Sequence, residues 1–231
     1  MARAMAADGI RIVAATPHVR FDYPTGPVDM EAALARVRDA VADAGIPIEI
    51  RPGGEIALEQ LGKLDADAIA RFGLGGNPRL VLLEYPYYGH AVSLADDCRR
   101  LLAQGVVPVV AHPERNRTLQ AHPEDIGEVV AAGGVIQLTA ASLDGRLGSS
   151  TARCARRLLE LGLAHLIASD AHAPEVRETG LAAARDSVDP ALGQWLTIDV
   201  PAALLAGADL PPRPSVAPRS RRWRIGRRSA G

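Results

Sequence analysis

Six apolar runs constrain this chain more than any other feature: "RIVAAT", "IPIEIR", "RLVLLEY", "VVPVVA", "GVIQLT" and "HLIAS". Each is short, rich in β-branched residues and continues into a loop, which is the pattern of a strand. Between them lie "DMEAALARVRDAVADAG", "LADDCRRLLAQG" and "STARCARRLLELG", with apolar residues three and four positions apart and a glycine just past the last turn. That spacing and that glycine are helix signals. Strands alternating with helices require right-handed crossovers and a parallel sheet, either open or closed into a barrel. Because the runs carry apolar residues on both faces, the sheet is expected to be covered on both sides.

Charge and composition narrow the function classes. The 231 residues are 48% apolar and 23% charged, with a formal net charge of -1. There is no global field that would gather nucleic acid or anionic lipid. The opening "MARAMAADGIRIV" is interrupted by Asp8 and Gly9 where a secretory leader needs an unbroken apolar core, and no apolar run is long enough to span a bilayer. A cytoplasmic location is expected. Cys98 and Cys154 fall in helical segments and read as reduced packing thiols. From about residue 211 the chain turns to proline, arginine and serine, so a folded domain over 1–210 and a disordered tail over 211–231 are expected. "FGLGGNP" lacks the lysine and spacing of a phosphate-binding P-loop and reads as a turn.

The residues that follow the apolar runs carry the chemistry. They are His18 in "ATPH", Glu55 in "RPGGE", Glu84 in "LLEYP", His112 in "AHPER", and Asp170 and His172 in "SDAH". Parallel α/β folds converge the carboxyl ends of their strands on one rim, so these six can face one cleft. Neutral imidazoles and ionised carboxylates suit divalent zinc, iron or manganese. Any one of them alone reads more simply as a turn or ion-pair residue; buried together, the carboxylates require a shared cation to offset their desolvation. Arg115 and Arg177 follow the histidines, and a guanidinium fork there suits the oxygens of a phosphate. His90, His122 and His165 lack this placement and read as surface or structural residues. A cysteine-phosphatase route fails on spacing, since the position six after Cys98 is Gln104 and that after Cys154 is Glu160.

The ordered series "GIRIVAATPH", "PGGEIAL", "LLEYP", "VVPVVAHPER", "QLTAASLDGRLG", "LIASDAH" and "ALLAGADLP" resembles the bacterial manganese-dependent tyrosine phosphatases of capsule and exopolysaccharide operons, within the polymerase and histidinol phosphatase (PHP) superfamily. The resemblance runs from about Met5 to Pro211. It implies a distorted (β/α)7 TIM-like barrel and a divalent metal cluster, most often manganese, with iron or zinc as alternatives. It further implies His18, Glu55, Glu84, His112, Asp170 and His172 as ligands, with Arg115 and Arg177 holding the phosphate. The implied substrate is a phosphotyrosine protein, typically the autophosphorylating kinase that controls polysaccharide chain length. The alternatives are a phosphoesterase of the same superfamily acting on a small metabolite, or a catalytically weakened regulator that binds phosphotyrosine.

One departure stands out. The family begins with a strand bearing Asp-x-His-x-His, and this chain has no such motif; "MARAMAADGI" reads as the end of the helix that follows that strand. The expectation is a gene start assigned too far downstream; the alternative is a genuinely truncated protein that binds metal poorly. For the chain as written, Glu55, Glu84 and His112 are expected to complete one metal position, with weak activity. The unpaired edge beside "RIVAAT" is expected to invite association into a homo-oligomer.

Overall fold

The six apolar runs all become strands. In a computed structural model that describes residues 1–173 and 180–215, they are β1 (Ile12–Ala14), β4 (Glu49–Arg51), β6 (Leu80–Glu84), β7 (Val107–Ala111), β8 (Val135–Thr139) and β9 (Leu166–Ala168). Three further short strands were not evident from periodicity: β2 (His18–Arg20), β3 (Tyr23–Pro24) and β5 (Glu55–Ala57). The main sheet has seven strands in the order β3-β2-β5-β6-β7-β8-β9, parallel except for the β2–β3 hairpin. β1 and β4 form a separate parallel pair.

The β1/β4 pair and the β2/β5 pair are one pair of segments bent in the middle. Ala15 N donates to Arg51 O (2.9 Å) and Glu55 N donates to Pro17 O (3.0 Å), so the β1/β4 pair passes into the β2/β5 pair across "ATP" and "PGG". Proline has no N–H and glycine no side chain, which makes these the natural places for the ladder to break. The strands beyond the bend peel away from the seven-stranded sheet. Among the described residues β1 pairs with β4 alone, as a two-stranded sheet beside the seven-stranded one. The architecture is α/β, with a sheet whose central strands β6 and β8 are buried along their whole length.

The predicted helices form over Pro27–Asp43, Leu94–Ala103 and Ser149–Glu160. The second and third pack Leu94, Cys98, Leu101, Cys154, Ala155 and Leu158 into the main core. Both cysteines are free and buried. The opening residues Ala2–Ala7 are helical and place Met5 in a smaller cluster with Leu34, Val41, Ile48 and Ile50, against the β1/β4 pair. No helix among the described residues is long and apolar enough to cross a membrane.

Within the segment expected to be a tail, residues 211–215 are docked and 216–231 lie outside the described residues. Trp195 Nε1 donates to Pro211 O (2.9 Å). Arg213 donates to Leu159 O (2.8 Å) and Ala164 O (3.1 Å), with its guanidinium 5.5 Å from the Trp195 ring centroid. His165 sits in the same corner, where its Nδ1 accepts from Ile136 N (3.0 Å).

Burial, with Arg213 adding to it, pushes the His165 imidazole down to about 4. A histidine whose folded value lies below its unfolded value contributes stability above the unfolded pKa and loses it as pH falls through the folded one. Unfolding free energy should therefore drop as pH is lowered from about 6.5 to about 4, by up to about 3 kcal/mol from this group. In urea titrations, His165→Gln is expected to show a shallower fall than the unsubstituted protein over that window.

Candidate metal and phosphate site

The bend places the first two side chains. β2 and β5 are in register with His18 opposite Glu55, and Glu55 is the first residue after the Pro52-Gly53-Gly54 turn. No Cβ fits at either glycine: one on Gly53 would lie 2.9 Å from Thr16 Cγ2, and one on Gly54 would lie 2.5 Å from Phe72 Cδ1. His18 and Glu55 thus begin strands after the break, whereas Glu84 ends β6 and His112 directly follows β7. Asp170 lies two residues past β9.

Glu55 is the hub. Its Oε1 meets His112 Nε2 at 2.7 Å, and its Oε2 lies 3.1 Å from His18 Nδ1. The second contact is close without the alignment of a hydrogen bond, leaving His18 Nδ1 orphaned; His112 Nδ1 also has no hydrogen-bond partner. Glu84 Oε2 approaches His18 Nδ1 to 3.9 Å. On the other side, Arg115 Nη1 donates to Asp170 Oδ2 (2.8 Å). Glu55, Glu84 and His112 are buried, His112 to 1% exposure. Two groups of donors result, His18/Glu55/Glu84 and Glu55/His112/Asp170, in each of which one donor atom per residue lies within 4.8 Å of the others. They share Glu55.

Among the described residues the carboxylates and imidazoles shift one another. Burial alone would raise the Glu55 carboxyl, but contacts with His112 and His18 outweigh it and hold it at about 2. Glu55 in turn raises His18, and raises His112 against the opposing effect of burial. Glu84 is pushed up, first by burial and then by the Glu55 carboxylate. Three clustered carboxylates, two orphaned imidazole nitrogens and no thiol match the donor set of a hard to borderline divalent cation. The residues present fit such an ion.

Of the predicted residues, His18, Glu55, Glu84, His112, Asp170 and Arg115 come together. His172 stands at the edge: its Nδ1 contacts Asp170 O (3.0 Å), and its ring lies 5.5 Å from that of His18, outside both donor groups. Arg177 lies outside the described residues. His90 and His122 are exposed and His165 is structural, as expected.

Four contributors were given no role by sequence reasoning. Arg20 donates to Glu84 Oε1 (3.2 Å) while Asp22 grips its Nε and Nη2 (2.6 and 2.9 Å). The signal was its spacing, two residues from His18 and therefore on the same face of a strand. Tyr87 stacks on His112 (5.7 Å, 8°), with the Arg115 guanidinium 4.7 Å from its ring centroid. Asn116 Nδ2 donates to Pro86 O and Gly89 O (2.7 and 2.9 Å), fixing the loop that carries Tyr87. Glu114, fully buried, accepts from Thr139 N (2.9 Å) and Ser142 Oγ (2.6 Å), anchoring the His-Pro-Glu-Arg turn to the end of β8. Periodicity carries no signal for the last two, because they act on loop backbone. His112 (φ 38°) and Asp170 (φ 48°) have positive φ, alone in this among the described non-glycine residues. Backbone strain of this kind is concentrated at functional sites.

A mainly parallel α/β sheet with a histidine and carboxylate cluster at one mouth, flanked by arginine, defines a class of proteins built to hold divalent cations beside an anionic ligand. Residues 1–202 match the family described as "Capsular polysaccharide synthesis, CpsB/CapC". The chain belongs to that family. It is 34% identical over 180 residues to the tyrosine-protein phosphatase YwqE of Bacillus subtilis, covering 77% of this chain and 70% of YwqE. It is 26% identical over 172 residues to the tyrosine-protein phosphatase CpsB of Streptococcus pneumoniae, covering 71% and 70%. A crystal structure reported for YwqE and CpsB as "unique metal-dependent tyrosine phosphatases" superposes with a TM-score of 0.82 at 29% identity, covering 94% of this chain and 90% of that one.

Gly54→Ala tests the packing that sets Glu55. Because Phe72 is fully buried and has nowhere to retreat, the substitution should cost about 1–3 kcal/mol in urea unfolding. Gly62→Ala, where an added Cβ meets nothing within 4 Å, should be near neutral in the same measurement.

Proposed function

We propose that this chain is a metal-dependent protein-tyrosine phosphatase acting on a phosphorylated protein of capsular or exopolysaccharide synthesis, in the cytoplasm. The observation that carries this reading is Glu55, one carboxylate common to two overlapping donor groups, with Arg115 beside the second. Membership of the CpsB/CapC family supports it. His18, Glu55, Glu84, His112, Asp170 and His172 are the proposed ligands, and manganese is the proposed metal, with iron and zinc compatible with the same donors. Such ions, when bound, bring the pKa of a water toward neutrality and offset charge on the attacking and leaving oxygens of an in-line displacement.

The protein's own groups have definite tasks in this scheme. Arg115 turns its fork from Asp170 toward the phosphate oxygens, and Arg177 is proposed to join it. Tyr87 covers the face of His112 and keeps bulk water from that imidazole; burial raises its phenol, so it stays neutral. The two thiols take no part. Burial pushes Cys98 up to about 11 and Cys154 up to about 12, so neither offers a thiolate at neutral pH. The proposed substrate is the autophosphorylating kinase that controls chain length.

Phosphate release from phosphotyrosyl peptides in manganese should be abolished by chelator, and should exceed release from histidinol phosphate or nucleotide monophosphates. Indifference to chelator would overturn the reading, and preference for the small esters would transfer it to a metabolite phosphoesterase. Arg115→Ala is expected to lower kcat/KM about 100-fold, the scale of losing one charge-stabilising donor. Elemental analysis should separate the donor groups: Glu55→Gln loses metal at both positions, whereas Glu84→Gln retains it at the Glu55/His112/Asp170 group.

A further inference from the structure

The mouth of the site opens into a cleft whose lining includes Arg20 and Asp22 from the β2–β3 hairpin, Leu58 and Glu59 after β5, and Pro86 and Tyr87 after β6. Glu84 is shared between this cleft and the donor cluster, so the two are continuous. The loops that supply its lining also carry the most exposed apolar side chains among the described residues: Phe21 at 85% exposure, Tyr88 at 71% and Val92 at 88%. Phe21 stands between the lining residues Arg20 and Asp22, and Tyr88 directly follows Tyr87. Large apolar groups held in water around a polar cleft mark an interaction surface.

The tyrosines there are also braced. The Arg117 guanidinium lies 5.5 Å from the Tyr88 ring centroid, and that of Arg20 lies 5.9 Å from Tyr23. Such pairing restrains an aromatic ring without removing it from solvent. Asn116 fixes the loop on which Tyr88 stands through Pro86 and Gly89. Tyr88 is therefore held at the surface rather than folded inward.

A small phosphomonoester seated at the donor cluster ends inside the cleft and leaves the lip uncovered. A polypeptide does not: each residue of an extended chain advances about 3.3 Å, so the neighbours of an inserted side chain lie across the rim. We infer that Phe21, Tyr88 and Val92 form a docking lip for an extended polypeptide, contacting apolar side chains that flank its phosphotyrosine. This rests on the phosphatase reading above and adds a sequence preference to it.

Two phosphotyrosyl peptides test the lip, one with leucine at the positions flanking the phosphotyrosine and one with serine there, alongside free phosphotyrosine as a ligand too small to reach it. The unsubstituted protein should favour the leucine peptide about ten-fold in kcat/KM, the scale of burying one aliphatic side chain. Phe21→Ser/Val92→Ser should remove that preference and leave kcat/KM on free phosphotyrosine unchanged. Fluorescence anisotropy with non-hydrolysable phosphonate versions of both peptides should show the same ten-fold difference in Kd and the same loss. Equal use of the two peptides by a protein that hydrolyses free phosphotyrosine overturns the lip alone. Equal loss on all three substrates in the double variant also overturns it, and failure of the unsubstituted protein on free phosphotyrosine overturns the phosphatase reading beneath it.

Discussion

One buried carboxylate, Glu55, holds the site together. It touches an imidazole on each side and belongs to both donor groups. Removing a carboxylate from water is costly unless opposite charge accompanies it. His18 and His112 supply part of that charge: the carboxylate raises His18, and at His112 it outweighs the lowering effect of burial. Glu84 and Asp170 then add negative charge, which Arg20 contacts at Glu84 and Arg115 at Asp170. The donors nevertheless fall into two groups of three that share Glu55, each close enough to surround one cation.

The fold spends several local features on keeping this geometry. A glycine pair with no room for a side chain turns the chain into β5, and the positive φ of His112 turns it sharply out of β7. Glu114 and Asn116 then tie down the segment that follows His112, one to the end of β8 and the other to the loop after β6. Tyr87 is the piece common to both loops, since it packs on His112 and beside Arg115. Rigid support of this kind matters because a misplaced donor loses much of its value in stabilising charge.

Much of this was legible in the sequence, for physical reasons that differ by element. The strands β6 to β9 are continuous apolar runs because both faces are covered, and His112 and Glu84 could be located by counting to their ends. The sequence singles out His18 and Glu55 by residue type, but not their place at the starts of β2 and β5, because three-residue strands have too few positions to show a period. Arg20 was passed over for the same reason. Glu114 was hidden in another way: its partners Thr139 and Ser142 are distant in sequence, and no local pattern announces a buried acid satisfied by a backbone N–H and a hydroxyl.

The corner formed by Trp195, Pro211 and Arg213 gives the domain a border different from the one composition draws. A guanidinium that crosses back to Leu159 and Ala164 latches the last described residues onto the end of the helix Ser149–Glu160, immediately before β9. Asp170 lies only a short way beyond that strand. The latch thus fastens residues 211–213 to the turn that leads into β9, which ends two residues ahead of the Asp170 that Arg115 contacts.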